Sequence, residues 1–299
     1  MNKETKIKKQ DNKKKKKEVL KLLGMIGIDT RYISYTHNLI YINDQRFAKF
    51  SKKRQEIFKK YYPEMDIISS TLLRKICIKF SEIIANEIAP KDNVLILKPK
   101  NRVDYLLKIV LEPYSRKYGI NIIEYEFDTN DLSSLFSDNY SKSLKIELNK
   151  IEKKNDLRII NEEDKTMMIN SVFTPLTLDE KVESILSSFF KGNGIPHEKQ
   201  LNDKTKVVNP FINVSNDWID SFLDNIPQKI SSKVDILNKK KEKNILDDKN
   251  SHDSPDKDSI DIPDSFMDFI KDIIPQYKNN ILKSSNFIEK ELKKLNIDK

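Results

Sequence analysis

The chain has 299 residues, 34% of them charged, with a net charge of +9 and a single cysteine. That length can bury a proper hydrophobic core, and no stretch approaches the ~20 apolar residues needed to cross a bilayer. With only Cys77 available, an intramolecular disulfide, a CxxC redox pair, a cysteine-rich zinc ribbon and an all-cysteine iron–sulfur site are all excluded as readings of the sequence.

The charge is uneven. Residues 1–18 hold nine lysines against Glu4, Asp11 and Glu18, which puts +6 on the tail and leaves +3 for the other 281 residues. A lysine-rich segment without aromatic residues buries too little surface to fold alone, so a disordered, salt-sensitive arm is expected. The tail and the following Val19–Ile28 imitate a signal peptide, but Lys21 interrupts the apolar part and no small-residue cleavage site follows. A soluble, cytoplasmic protein is expected.

Thr30 to Asn43 alternates around Thr36-His37-Asn38 and predicts a short hairpin. Phe47 to Tyr62 has Phe47, Phe50, Ile57, Phe58 and Tyr61 at helical spacing, and Pro63 ends that helix. The next helix, about Thr71 to Glu87, carries Leu72, Leu73, Ile76, Phe80, Ile83 and Ile84 on one face. Cys77 reads there as a small core residue. A buried strand, Asn93 to Leu97, then a helix of about Arg102 to Lys117, Gly119 as a stop and a second strand, Ile120 to Phe127, form a βαβ unit. That unit predicts a parallel sheet covered on both faces.

Downstream, a helix is expected at about Ser141 to Lys154, a strand at Met167 to Phe173 and a helix from Thr177 to Lys191 closed by Gly192-Asn193-Gly194. A strand at Val207 to Val214 and a helix at Asn216 to Asn225 follow. Residues 239–261 are polar and read as a disordered insertion; two helices close the chain, the first with Phe266, Phe269, Ile270 and Ile273, the second at about Ser285 to Leu295.

The loop Lys98-Pro99-Lys100-Asn101-Arg102-Val103 stands where a strand–loop–helix fold holds phosphate, yet it contains no glycine. Pro99 also removes one N–H from any backbone nest. Lys98, Lys100, Asn101 and Arg102 are the candidates for holding phosphate through side chains instead, against a plain solvated loop. Thr177-x-x-Glu180 has capping-box spacing, and Asp179 beside it is either a helix-start residue or a ligand-binding carboxylate at the sheet edge. Lys52, Lys53, Arg54, Lys59, Lys60, Arg74 and Lys75 lie among aromatics on two helices and are the candidates for contacting RNA phosphates. His37, His197 and His252 are scattered and predict no metal site.

Laid end to end, these pieces resemble the PP-loop ATP-pyrophosphatase superfamily, and within it the tRNA 2-thiolation branch, the cytosolic thiouridylases of archaea and eukaryotes. The hairpin with Tyr32 to Tyr41 and the basic helix Phe47 to Lys60 are similar to that branch's zinc-ribbon region without its cysteine ligands. Lys98 to Val103 takes the place of the Ser-Gly-Gly-x-Asp-Ser loop and matches none of it. Thr177-Leu178-Asp179-Glu180 resembles the family's Leu-Asp-Asp helix start, and Phe266 to Leu292, with Ile274-Pro275-Gln276-Tyr277, resembles its terminal helix–turn–helix.

The resemblance implies an α/β fold: a doubly wound, mainly parallel, Rossmann-like sheet with a small N-terminal hairpin–helix region and C-terminal helices. The expected division is a tail at 1–18, a degenerate zinc-ribbon-like region at 19–70, a PP-loop-like α/β domain at 71–238, the insertion at 239–261 and C-terminal helices at 262–299. Loss of the phosphate loop and of the family's cysteines implies a non-catalytic paralogue acting in tRNA modification, as a tRNA-binding scaffold or partner of an active thiolase. Two alternatives stay open: an active ATP-dependent, adenylating tRNA-modifying enzyme, and a general RNA-binding protein. No cofactor is required by this reading; ATP with Mg²⁺ is the open option, and neither zinc nor an iron–sulfur cluster is expected. The expected partners are tRNA or another RNA, an active PP-loop thiolase or a second copy of the chain, and no membrane.

Overall fold

The computed structural model describes residues 3–36, 38–99, 101–125, 158–160, 166–194, 205–226, 270–271, 273–274 and 276–297. Lys100, the three histidines, the expected helix at 141–154, the insertion 239–261, Phe266 and Phe269 lie outside the described residues.

The N-terminal part opens with α1 (Lys3–Met25), which ends at Gly27 with φ +78°. A 3-10 turn (Thr30–Tyr32) leads into the expected hairpin of β1 (Ile33–Thr36) and β2 (Leu39–Ile42). Then come α2 (Gln45–Ala48), α3 (Lys52–Tyr61) and β3 (Asp66–Ser69), which pairs parallel to β2 to complete a three-stranded sheet. Because side chains alternate along a strand, β2 serves two cores. Ile40 and Ile42 pack with Val19, Leu23, Phe50 and Phe58, whereas Leu39 and Tyr41 join the main core on the other face.

The main part starts with α4 (Thr71–Glu87), capped by Ser70, whose hydroxyl accepts from the N–H groups of Leu72 and Leu73. It continues through β4 (Asn93–Leu97), α5 (Arg102–Leu111), α6 (Tyr114–Lys117) and β5 (Asn121–Tyr125). After β6 (Arg158–Ile160) and β7 (Thr166–Met168), an antiparallel pair, come β8 (Ser171–Phe173), α7 (Leu178–Phe190), β9 (Lys206–Val208), α8 (Asn216–Asp224) and α9 (Tyr277–Ile297). The central sheet is wholly parallel in the order β5-β4-β8-β9. Val94 and Ile96 of β4 pack with α4, α5 and α8, and Leu95, pointing the other way, is also fully buried, so both faces of this strand are covered. Phe80 of α4 sits between Tyr114 and Phe211, with ring centroids 5.6 and 5.5 Å away.

Several expectations change. The lysine tail does not stay unstructured: Lys3–Met25 forms a helix whose far end buries Val19 and Leu23, while Lys15 pairs with Glu64 at 3.1 Å and Lys16 with Glu112 at 2.6 Å. Tertiary burial supplies what local composition lacks. The single helix expected over Phe47 to Tyr62 breaks at Lys49, which takes the left-handed conformation with φ 56°. The helix expected from Arg102 to Lys117 divides at Pro113, which has no N–H to continue the ladder. Met167 to Phe173 splits between two sheets, β7 pairing with β6 and β8 with β4. After Val208 the expected strand turns instead, with Ile212 N–H donating to Asn209 and Val214 N–H to Phe211.

Candidate functional site

In the central sheet the chain goes from β4 outward to β5, then returns to the other side of β4 at β8. The crevice beyond the carboxyl ends of β4 and β8 is therefore the switch point at which open α/β sheets bind ligands. The 98–102 loop leaves β4 there, and Thr174 to Thr177 leave β8.

Each described candidate at this edge is engaged within the protein. Asn101 is the N-cap of α5: its Oδ1 accepts from the Asp104 N–H at 2.8 Å, and the Asp104 carboxylate accepts from the Asn101 N–H at 3.3 Å. This reciprocal pair uses donors that an anion would need at the helix start, and it places a buried carboxylate in the first turn. Arg102 turns toward α8, donating to Asp224 at 2.6 Å and to the Asp220 carbonyl at 3.2 Å. Lys98 is also engaged in a contact within the protein.

Asp179 lies within the capping box of α7, in which Thr177 and Glu180 bond each other's backbone N–H as their spacing predicted. Its own carboxylate looks elsewhere. Oδ2 accepts from the Asn216 N–H at 2.7 Å, capping α8 from outside because Ser215 makes no side-chain cap, and Oδ1 pairs closely with Lys278 of α9. Burial of Lys278 disfavours its charge, but the Asp179 hydrogen bond and charge outweigh that and raise its pKa above the ordinary lysine value. Arg102 and Asp179 thus grip opposite ends of α8, anchor points roughly 12 Å apart at 1.5 Å per residue. They do not converge on one ligand.

The RNA candidates divide into two groups. Lys52, Lys53 and Lys60 of α3 and Lys75 of α4 are exposed, Lys75 lying over the Trp218 ring at 5.8 Å. Arg54 donates to the Lys49 carbonyl at 2.6 Å; its Nη2 lies 3.0 Å from where a Cβ on Gly27 would stand, so a side chain there would press on the guanidinium, and φ +78° favours glycine in that turn. Lys59 faces Asp66 at 3.6 Å, and Arg74 pairs with Asp44 at 3.1 Å. Asn101-x-x-Asp104 was the signal in the sequence that reading the loop as a failed phosphate cradle passed over.

No known protein family matches the sequence, and no curated protein does. Among solved structures, the chain is similar to the U34-tRNA thiolase NcsA from Methanococcus maripaludis with its [4Fe-4S] cluster, at 11% identity and a TM-score of 0.39, covering 73% of this chain and 78% of the thiolase. Against the expectation of no iron–sulfur cluster, the similar structure carries one. The described residues nevertheless bring together no group of three His, Cys, Asp or Glu side chains that could hold a metal ion, and Cys77 packs against the main core with its thiol pushed up by burial. Among the described residues no helix is long and apolar enough to cross a membrane.

Proposed function

We propose that this chain is a non-catalytic, doubly wound PP-loop-like protein of the cytoplasm that contributes RNA binding to tRNA modification, as scaffold for or partner of an active thiolase. The observation that carries the reading is the closed start of α5, where Asn101 and Asp104 satisfy each other and leave a carboxylate where phosphate would approach. Arg102 and Asp179, committed to α8 and α9, support it. The order of sequence elements supports tRNA as the RNA, and the exposed Lys52, Lys53 and Lys60 supply the charge.

Titrating the full chain with a tRNA transcript across a salt series tests this. Changing Lys52, Lys53 and Lys60 together to Gln should reduce the magnitude of the log–log salt slope by roughly 0.7–0.9 for each phosphate that these lysines neutralise. A slope that the triple change leaves untouched, or no binding by the unaltered chain, would reject the reading.

A further inference from the structure

Where the 3-10 turn, α2 and α6 meet, an aromatic stack surfaces among cations. Phe47 of α2 is 52% exposed, and its ring stacks on Tyr32 with centroids 5.1 Å apart at 25°. Arg46 lies over the Phe47 ring at 5.8 Å. Lys117, exposed on α6, sits 5.9 Å from the Tyr32 ring, 5.5 Å from Tyr114 and 5.2 Å from Tyr118. Two carboxylates are nearby: Asp29 is forked to Arg31, and Asp44 is shared by Arg46 and Arg74. Lys117 forms no ion pair with another described residue.

A stack built only to fasten α2 to the turn would gain most by burying Phe47, whose apolar ring instead stays half in water. A half-exposed ring with an exposed guanidinium over it and an ammonium over its stacking partner is complementary to an unpaired base with its phosphate, because a base π-face can take the guanidinium's place on the ring while the cations turn to the negative phosphate. A duplex hides those faces. We infer that Phe47, stacked on Tyr32, with Arg46 over its own ring and Lys117 over that of Tyr32, is a stacking platform for single-stranded RNA; the inference rests on the proposed RNA-binding role and names its contact site.

Fluorescence anisotropy of the full chain with a labelled oligouridine, and with an RNA duplex of the same length, tests the platform. Phe47→Ala should weaken single-strand binding roughly 5- to 150-fold, the range for one base–aromatic stack, with little change in thermal midpoint because the side chain is half exposed. Phe47→Trp should restore binding, and Lys117→Gln should lower the salt slope by about 0.7. If the unaltered chain binds RNA and Phe47→Ala binds equally well, or if the duplex binds as tightly as the single strand, the platform is wrong and the RNA-binding role survives. If the unaltered chain binds neither RNA, both fall.

Discussion

Replacing Glu112 by alanine is expected to destabilise the protein by about 3–5 kcal/mol, the cost of leaving the other member of a buried ion pair without its partner. Glu112 is only 8% exposed. Its carboxylate takes Arg116 at 2.8 Å through Nη2 and more closely through Nη1, Lys16 at 2.6 Å, and the Tyr35 N–H at 3.2 Å. Arg116 in turn donates to the carbonyl of Thr30 at 3.0 Å and closely to that of Ile33. One network therefore ties α1, the turn and β1 to the junction of α5 and α6. Burial alone would raise the Glu112 pKa, but the hydrogen bond and charge of Arg116 and the charge of Lys16 hold it below the ordinary carboxylate range. The sign follows: a depressed folded pKa stabilises above the unfolded value of about 4.3 and the contribution is lost as pH falls through the folded value. Thermal midpoints should drop by about 10 °C in Glu112→Ala at neutral pH, and the difference from the unaltered protein should shrink on acidification. Joint replacement, Glu112→Leu with Arg116→Met, should recover much of the loss, since no unpaired charge remains. A loss below about 1 kcal/mol in the single variant would show that the network does not join the two parts.

The second large effect is expected at Asp179. Asp179→Ala removes the side-chain cap that the described residues give α8, worth about 1 kcal/mol, and leaves Lys278 without its partner, for a total of about 2 kcal/mol or a midpoint lowered by roughly 4–8 °C. Asp179→Asn, which keeps an acceptor for the Asn216 N–H, should cost less. Because the Lys278 pKa is raised, the lysine's contribution is fully present at neutral pH and is lost as pH rises through that raised value. A carboxylate kept solely to hold a metal ion would behave oppositely, its removal leaving the ligand-free protein as stable or more so. Equal midpoints for Asp179→Ala and the unaltered chain would therefore make Asp179 a ligand candidate again.

The β4–α5–β5 unit was legible because an apolar run buried on both faces, a helical apolar stripe and Gly119 with φ +68° are local signals. β3 was not, since Asp66 to Ser69 is a four-residue strand that owes its existence to pairing with β2. The α1 helix was misjudged for a similar reason: Glu64 and Glu112, which hold Lys15 and Lys16, are far off in the chain. At the sheet edge the residue types were chosen from the sequence, but their employment was hidden, because Asp179 meets Lys278 99 residues later and Arg102 meets Asp224 122 residues later. The Asn101–Asp104 cap, by contrast, was written in three-residue spacing and could have been read directly.

Hydrogen exchange of the full chain with and without tRNA tests the central claim most directly, because one experiment reports the basic and aromatic surface and the switch-point edge together. Protection is expected over residues 30–62 and 114–118, with exchange at 101–104 and 174–180 unchanged. Protection confined to 101–104 and 174–180 would contradict the account and make the sheet edge the binding site.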